Sequence, residues 1–146
     1  MPYQIIQSYS NFDPPALGTS FTASPNAGAP FSPIYTTIDQ AYENLKMLLL
    51  TRVGERYGYP QFGTFLLNVL FQPSTDEIKI QIPDLITKPV SVFLPYLNID
   101  NIDIKTAQDD PTLPYSIQIK LDFSLNSIET NTITISATES GQLSVS

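Results

Sequence analysis

In the stretch "YSIQIKLDFSLN" apolar and polar residues alternate without a break. Tyr115, Ile117, Ile119, Leu121, Phe123 and Leu125 fall on one side, and Ser116, Gln118, Lys120, Asp122 and Ser124 on the other. A repeat of two is that of a β-strand, and a single apolar side predicts an antiparallel sheet with one buried face. "LNIDNIDIK" before it and "TNTITISA" after it predict flanking strands, with "TAQDDPTLP" as a turn-rich connection. The expected sheet is therefore three-stranded.

A different repeat governs residues 37–50. Ile38, Ala41, Tyr42, Leu45, Leu48 and Leu49 recur at three- and four-residue spacing, which predicts an amphipathic helix. Thr37 with Gln40 fits a capping box at its start, and Gly54 suits a left-handed residue at its end. The run "FLLNVLFQ" is apolar nearly all round; Thr64 before it and Pro73 after it favour a short helix. Residues 74–97 carry two patterns. "EIKIQI" alternates like a strand, while Ile82, Ile86, Val90, Phe93 and Leu97 follow helical spacing, so the expectation is an extended start and a kinked helix from about Pro83. Helices first and a meander afterwards give the class α+β: two to three helices packed on a three-stranded antiparallel sheet.

Residues 1–33 have little regular pattern and much punctuation, with Pro14, Pro15, Pro25, Pro30 and Pro33 beside Gly18 and Gly28. This predicts an extended arm preceding a single domain over residues 34–146. Tyr3, Ile5, Ile6, Tyr9, Phe12, Phe21 and Phe31 make the arm too apolar for a free linker. Tyr9, Phe12, Phe21 and Phe31 are its candidate docking residues, either on its own domain or on a neighbouring chain.

Composition narrows the chemistry. The 146 residues suffice for one core, and their formal charge is −7 from 7 basic and 14 acidic side chains. Five scattered lysines and two arginines argue against nucleic acid, whose binders concentrate positive charge on one face. No apolar run approaches the length of a membrane span, and "MPYQIIQSYSNF" lacks the features of a secretory signal. Cys, His and Trp are absent, which removes disulfides, thiol nucleophiles, histidine bases and most zinc or copper sites. No cofactor is expected.

Both arginines lie in "TRVGERYGYPQFGT", with three of the six glycines. As a hydrolase, Glu55 would be the general acid of a muramidase-like pair, but nothing brings Asp76 or Glu77 to it. As an anion loop, the glycine spacing matches neither the P-loop nor the dinucleotide fingerprint. A carbohydrate-binding surface of exposed tyrosines is a third reading. The simplest is a structural corner between two helices, in which Arg52, Gly54, Glu55, Arg56, Pro60, Phe62 and Gly63 turn the chain. Its glycines would supply backbone freedom, and Arg52, Glu55 and Arg56 would pin it through hydrogen bonds and ion pairs.

The order of motifs adds to this. Leu48 to Thr51, Gly54-Glu55-Arg56, Pro60-Gln61-Phe62-Gly63 and Leu66 to Phe71 together resemble the signature of the small baseplate wedge family of contractile-tailed bacteriophages, the relatives of T4 gene product 25. "YSNFDPP" resembles the start of T4-like members, and the likeness covers about residues 8–15 and 34–137. At Leu94, Pro95 and Tyr96 the family often has Glu-Pro-Arg; the proline is kept and both charges are lost. Gln72 replaces the usual Glu, and the 16–33 portion is longer than in T4-like members. The resemblance implies a structural protein of the virion tail baseplate, assembled in the host cytoplasm, without catalytic, cofactor or metal residues. It would contact other wedge proteins, the tail sheath protein and tube or hub proteins, and neither nucleic acid nor membrane. Templating the first sheath ring by strand addition is the implied role. A related subunit occurs in type VI secretion baseplates, and some family members have been labelled lysozymes.

Overall fold

The computed structural model describes residues 16–20, 33–72, 76–106, 109, 117–126, 129–138 and 143–146. Its first elements are β1 (Gly18–Thr19) and β2 (Pro33–Ile34), an antiparallel ribbon of two short strands. Three helices follow: α1 (Thr37–Leu50), α2 (Leu66–Leu70) and α3 (Asp76–Phe93). The chain then forms β3 (Leu97–Thr106), β4 (Ile117–Leu125), β5 (Glu129–Ala137) and β6 (Leu143–Val145), paired antiparallel in that order. The class is α+β.

The sheet has four strands rather than the expected three. The additional one, β6, is three residues long, too short for alternation to show in the sequence. It pairs Leu143, Ser144 and Val145 with Ala137, Ser136 and Ile135. Tyr115 and the aromatic positions Tyr9, Phe12, Phe21 and Phe31 lie outside the described residues, as does Pro73.

Strand β4 is the centre of the sheet. Ile117, Ile119, Leu121 and Phe123 are wholly enclosed, and Ile133 and Ile135 of β5 extend the same surface. Above it lie Leu45, Leu48 and Leu49 from α1, Leu66 and Leu70 from α2, and Ile82 and Ile86 from α3. Each such side chain contributes roughly 1.5–3 kcal/mol on burial, so this row is the main source of stability.

Helix α1 spans the expected residues 37–50, but its cap lies one residue earlier than the sequence suggested. Thr36, not Thr37, is the cap: its hydroxyl accepts from the Asp39 N–H at 3.2 Å and donates to the Asp39 carboxylate. Asp39, rather than Gln40, is thus the partner of the cap residue. At the other end Thr51 is extended, with φ −87°, and its N–H reaches the Met47 carbonyl at 3.1 Å. Gly54 is therefore not the helix terminator.

Residues 76–82 are helical, not extended. A strand over "EIKIQI" would bury Ile78, Ile80 and Ile82 together, yet Ile80 is 77% exposed while Ile78 and Ile82 are buried. Ile78, Ile82, Ile86 and Val90 instead form one stripe at four-residue spacing that meets the core. Pro83 and Pro89 lie within this helix and lack the N–H groups that would bond the carbonyls of Lys79 and Leu85. Burial of the stripe outweighs that loss, at about 3 kcal/mol per interior proline. Asp76 and Glu77 in the first turn suit the positive end of the helix dipole.

One charged link ties α3 to the end of β3. Lys79 Nζ stands 2.8 Å from Asp109 Oδ1, and the other oxygen accepts from the N–H and hydroxyl of Thr106 at 2.9 and 2.8 Å. Donation from Lys79, then from Thr106, holds the Asp109 carboxyl at about 2. Since this lies below the ordinary 3.8, the link stabilises the fold above that value and is lost as pH falls through about 2. Thermal melts of Asp109→Asn should fall below the parent at neutral pH and converge with it near pH 2; equal melting temperatures at neutral pH would contradict this.

Candidate functional site

The two arginines and their neighbours form a closed corner between α1 and α2. As α1 ends, Thr51 donates its hydroxyl to the Met47 carbonyl at 2.6 Å and leaves the helix extended. Arg52 and Thr64 then make a parallel bridge, with Thr64 N–H on the Thr51 carbonyl at 2.8 Å. Between them the loop is held by its own backbone. Gly54 N–H bonds the Pro60 carbonyl at 2.7 Å, Glu55 N–H that of Arg52 at 3.0 Å, and Phe62 N–H that of Tyr59 at 3.1 Å. Thr64 finishes the turn: its hydroxyl donates to the Leu49 carbonyl at 3.1 Å and accepts from the Leu66 N–H at 3.3 Å.

Gly63 is the tightest point. Its φ is +130°, and a Cβ there would stand 2.6 Å from the Thr51 carbonyl oxygen and 2.8 Å from the Arg52 carbonyl carbon. Both the backbone angle and the approach of the α1 exit exclude a side chain. Gly54 also has positive φ, +90°, but open space around it.

The charged groups act differently from expectation. The Glu55 carboxylate accepts from the Arg52 main-chain N–H at 2.9 Å, and no ion pair joins it to either arginine among the described residues. Arg56 lies over the Phe62 ring at 4.2 Å and directs Nη2 at the Met47 sulfur, 2.7 Å away. Phe62 and Tyr59 meet Phe93 of α3 edge-on at 5.2 and 5.9 Å. The corner is thus joined to α3 by an aromatic cluster. Tyr57 at its tip is fully exposed.

Phe93 leads into the Leu94, Pro95 and Tyr96 position. Leu94 is buried and its N–H bonds the Val90 carbonyl at 2.8 Å. The Tyr96 hydroxyl accepts from Asn44 of α1 at 2.8 Å, and Asn44 accepts from Gln40 at the same distance. Neutral hydrogen bonds to α1 occupy this turn.

Glu55 and the other acidic side chains considered for catalysis lie on different elements. The Glu55 side chain is on an exposed loop, and neither Asp76 nor Glu77, both in the first turn of α3, is bonded to it. Asp76 instead stands 3.7 Å from Lys79. Among the described residues no cluster of three acidic side chains could hold a metal ion. No described helix is long and apolar enough to cross a membrane.

One feature escaped the sequence reading, and a second was expected without its place in the sheet. The outer sheet face has a shallow depression of about 440 Å³ lined by Asp100, Asn101, Asp122, Ser124 and Thr130. Ser124 donates to Asp100 at 3.1 Å, and Thr132 to Asp122 at 2.7 Å, which lowers the Asp122 carboxyl below its usual value. Only register brings these residues together; the outward positions of the alternation were the available signal. The second feature is the pair of sheet edges. β3 has no neighbour on its outer side among the described residues, and β6 covers only the far end of β5.

Comparison with known proteins agrees with this architecture. The family described as baseplate wedge protein gp25 matches residues 39–130. Among solved structures, a protein from Geobacter sulfurreducens provisionally called a tail lysozyme superposes with a TM-score of 0.57 at 15% identity. The match covers 73% of this chain and 96% of that one, and at this identity it shows shared fold. No curated protein matches the sequence.

The corner geometry makes a direct prediction. Gly63→Ala should cost about 2–4 kcal/mol, from the strained φ together with the clash against Thr51. Gly54→Ala should cost about 1 kcal/mol, from φ alone. Urea unfolding of the two variants measures the difference, and equal losses would contradict it.

Proposed function

The chain belongs to the baseplate wedge protein gp25 family, structural subunits of contractile-tail baseplates, and on that premise we propose that it templates the first sheath ring. The observation that supports this reading is the four-stranded sheet, with helices on one face and, among the described residues, no strand paired to the outer edge of β3. Unpaired backbone N–H and C=O groups on an edge bind another strand through main-chain hydrogen bonds. A sheath subunit could add a strand there, and the ring would inherit its register from the baseplate. In this reading the chain sits in the virion tail and contacts other wedge subunits, with tube or hub proteins nearby.

The arm has its own part. Leu17 N–H bonds the Ile34 carbonyl at 2.7 Å, which extends the ribbon of β1 and β2 by one bond. Tyr9, Phe12, Phe21 and Phe31 would grip a neighbouring wedge subunit. The corner residues keep α1, α2 and α3 in register beneath the sheet, a structural role.

A muramidase using Glu55 is the alternative, favoured by the name given to the Geobacter protein. Against it, the Glu55 carboxylate is exposed and already accepts a main-chain hydrogen bond from its own loop.

Purified sheath protein mixed with the intact chain should form rings or short tubes under negative stain, and sheath protein alone should form fewer. Deleting residues 1–33 should spare ring formation and weaken attachment to wedge subunits. Normal sheath growth on baseplates lacking this protein would overturn the templating role. Cell-wall degradation by the parent that is lost in Glu55→Gln would restore the enzyme reading.

A further inference from the structure

A second concave surface, lined by no residue of the sheet, lies where the corner meets α3. It is a cleft of about 350 Å³ with Val53, Gly63 and Phe65 on one side and Leu85, Pro89 and Phe93 on the other. Ligand pockets run from roughly 300 to 1,000 Å³, so this one takes a single ring system rather than a length of chain. Phe65, one of its walls, is half exposed.

The walls are set before anything binds. Close approach of the Thr51 and Arg52 backbone to Gly63 fixes one side. Edge contacts of Phe93 with Phe62 and Tyr59, at 5.2 and 5.9 Å, fix the other. A preformed pocket loses little ordering entropy when it is filled.

Its chemistry rules out most side chains. Asp84 and Lys88, the charged residues of the lining, pair with each other at 2.7 Å. A charged anchor would therefore surrender its hydration to apolar walls without a free counter-charge. The adjoining corner adds Arg52 and Arg56 against Glu55, which further disfavours an incoming lysine or arginine. The occupant is neutral.

A purely apolar ring would leave one need unmet. Residue 89 is proline, so the Leu85 carbonyl has no helical N–H donor four residues on. Helix carbonyls run along the axis, so this one is directed from one lining residue toward another and borders the cleft. Covered by hydrocarbon, it would lose water and gain nothing in exchange. An aromatic ring with an N–H meets both conditions, and indole donates without accepting. This chain has no tryptophan, so neither its own arm nor a second copy can supply that ring.

We propose that the cleft between the corner and α3 receives a tryptophan side chain of a different protein, with its ring between Phe65 and Pro89 and its N–H on the Leu85 carbonyl. The interior proline then has a use: it frees the acceptor that the ring binds. This goes beyond the templating reading and uses none of the groups that reading invokes.

The absence of tryptophan also gives the test a dark background. A fixed trace of N-acetyl-tryptophanamide, excited beyond the tyrosine band, is titrated with the full chain. Its emission should move saturably to the blue. The same probe methylated on the indole nitrogen should bind about three- to tenfold more weakly, the worth of one hydrogen bond. In Pro89→Ala the new N–H takes the Leu85 carbonyl, and the two probes should bind alike. Phe65→Ser should weaken both by about fivefold or more. If that variant unfolds, the Pro89→Ala comparison decides.

No saturable shift with the parent chain would overturn the proposal, as would equal binding of the two probes to it. Unchanged binding in a folded Phe65→Ser would put the ring elsewhere. Displacement of the probe by a lower concentration of N-acetyl-tyrosinamide would replace indole by phenol. Dimers that form with rising concentration and vanish in Tyr57→Ser would put a second copy's tyrosine in the cleft. A failure of sheath templating would change none of these outcomes.

Discussion

The enclosed row on β4 is what the rest of the molecule is arranged around. Ile117, Ile119, Leu121 and Phe123 have to be covered from one side, and no single helix here is broad enough to do it. Three helices share the task, so each connection between them must hold its helices at a fixed spacing above the sheet. Corner geometry, helix content and the position of the last short strand all follow from that requirement. The polar outer face, with its hydroxyl-bonded aspartates, is the other side of the same alternation.

This dependence explains which parts could be read from residues alone. The alternation at 117–125 and the apolar stripe of α1 are long and periodic, and both elements stand where the pattern put them. "EIKIQI" fits both patterns because alternation and four-residue spacing share Ile78 and Ile82, and only Ile80 distinguishes them. A tertiary contact, the core above β4, settles that choice. Pro83 and Pro89 disfavour a helix interior locally, and that backbone preference does not register the burial that offsets it. β6 is too short to carry a pattern. The Thr36 cap differs from the expected one by a single residue, within the uncertainty of any helix boundary.

At the corner, the interactions of the residues are not legible in the sequence. Glycine clustering predicts a turn, yet it does not say which glycine is crowded by the backbone opposite, and only Gly63 is. Arginines beside a glutamate suggest ion pairs; here the carboxylate serves the main chain and Arg56 spreads over Phe62. In a loop this tight, the unpaired N–H of Arg52 is a nearer claim on Glu55 than either guanidinium. The acidic depression and the open edge belong to strand register, which a linear sequence does not display.

The small ribbon of β1 and β2 has a consequence for how this chain can vary. Gly18 lies so close to α1 that a Cβ there would stand 1.7 Å from the Gln40 side-chain oxygen. Thr19 and Pro33 face one another across the ribbon. The two ends that flank residues 20–32 are therefore held side by side next to α1, and closing a longer connection between fixed ends costs little more than closing a short one. The domain thus has a site where length is free to drift in evolution, while two ribbon pairs keep the frame constant.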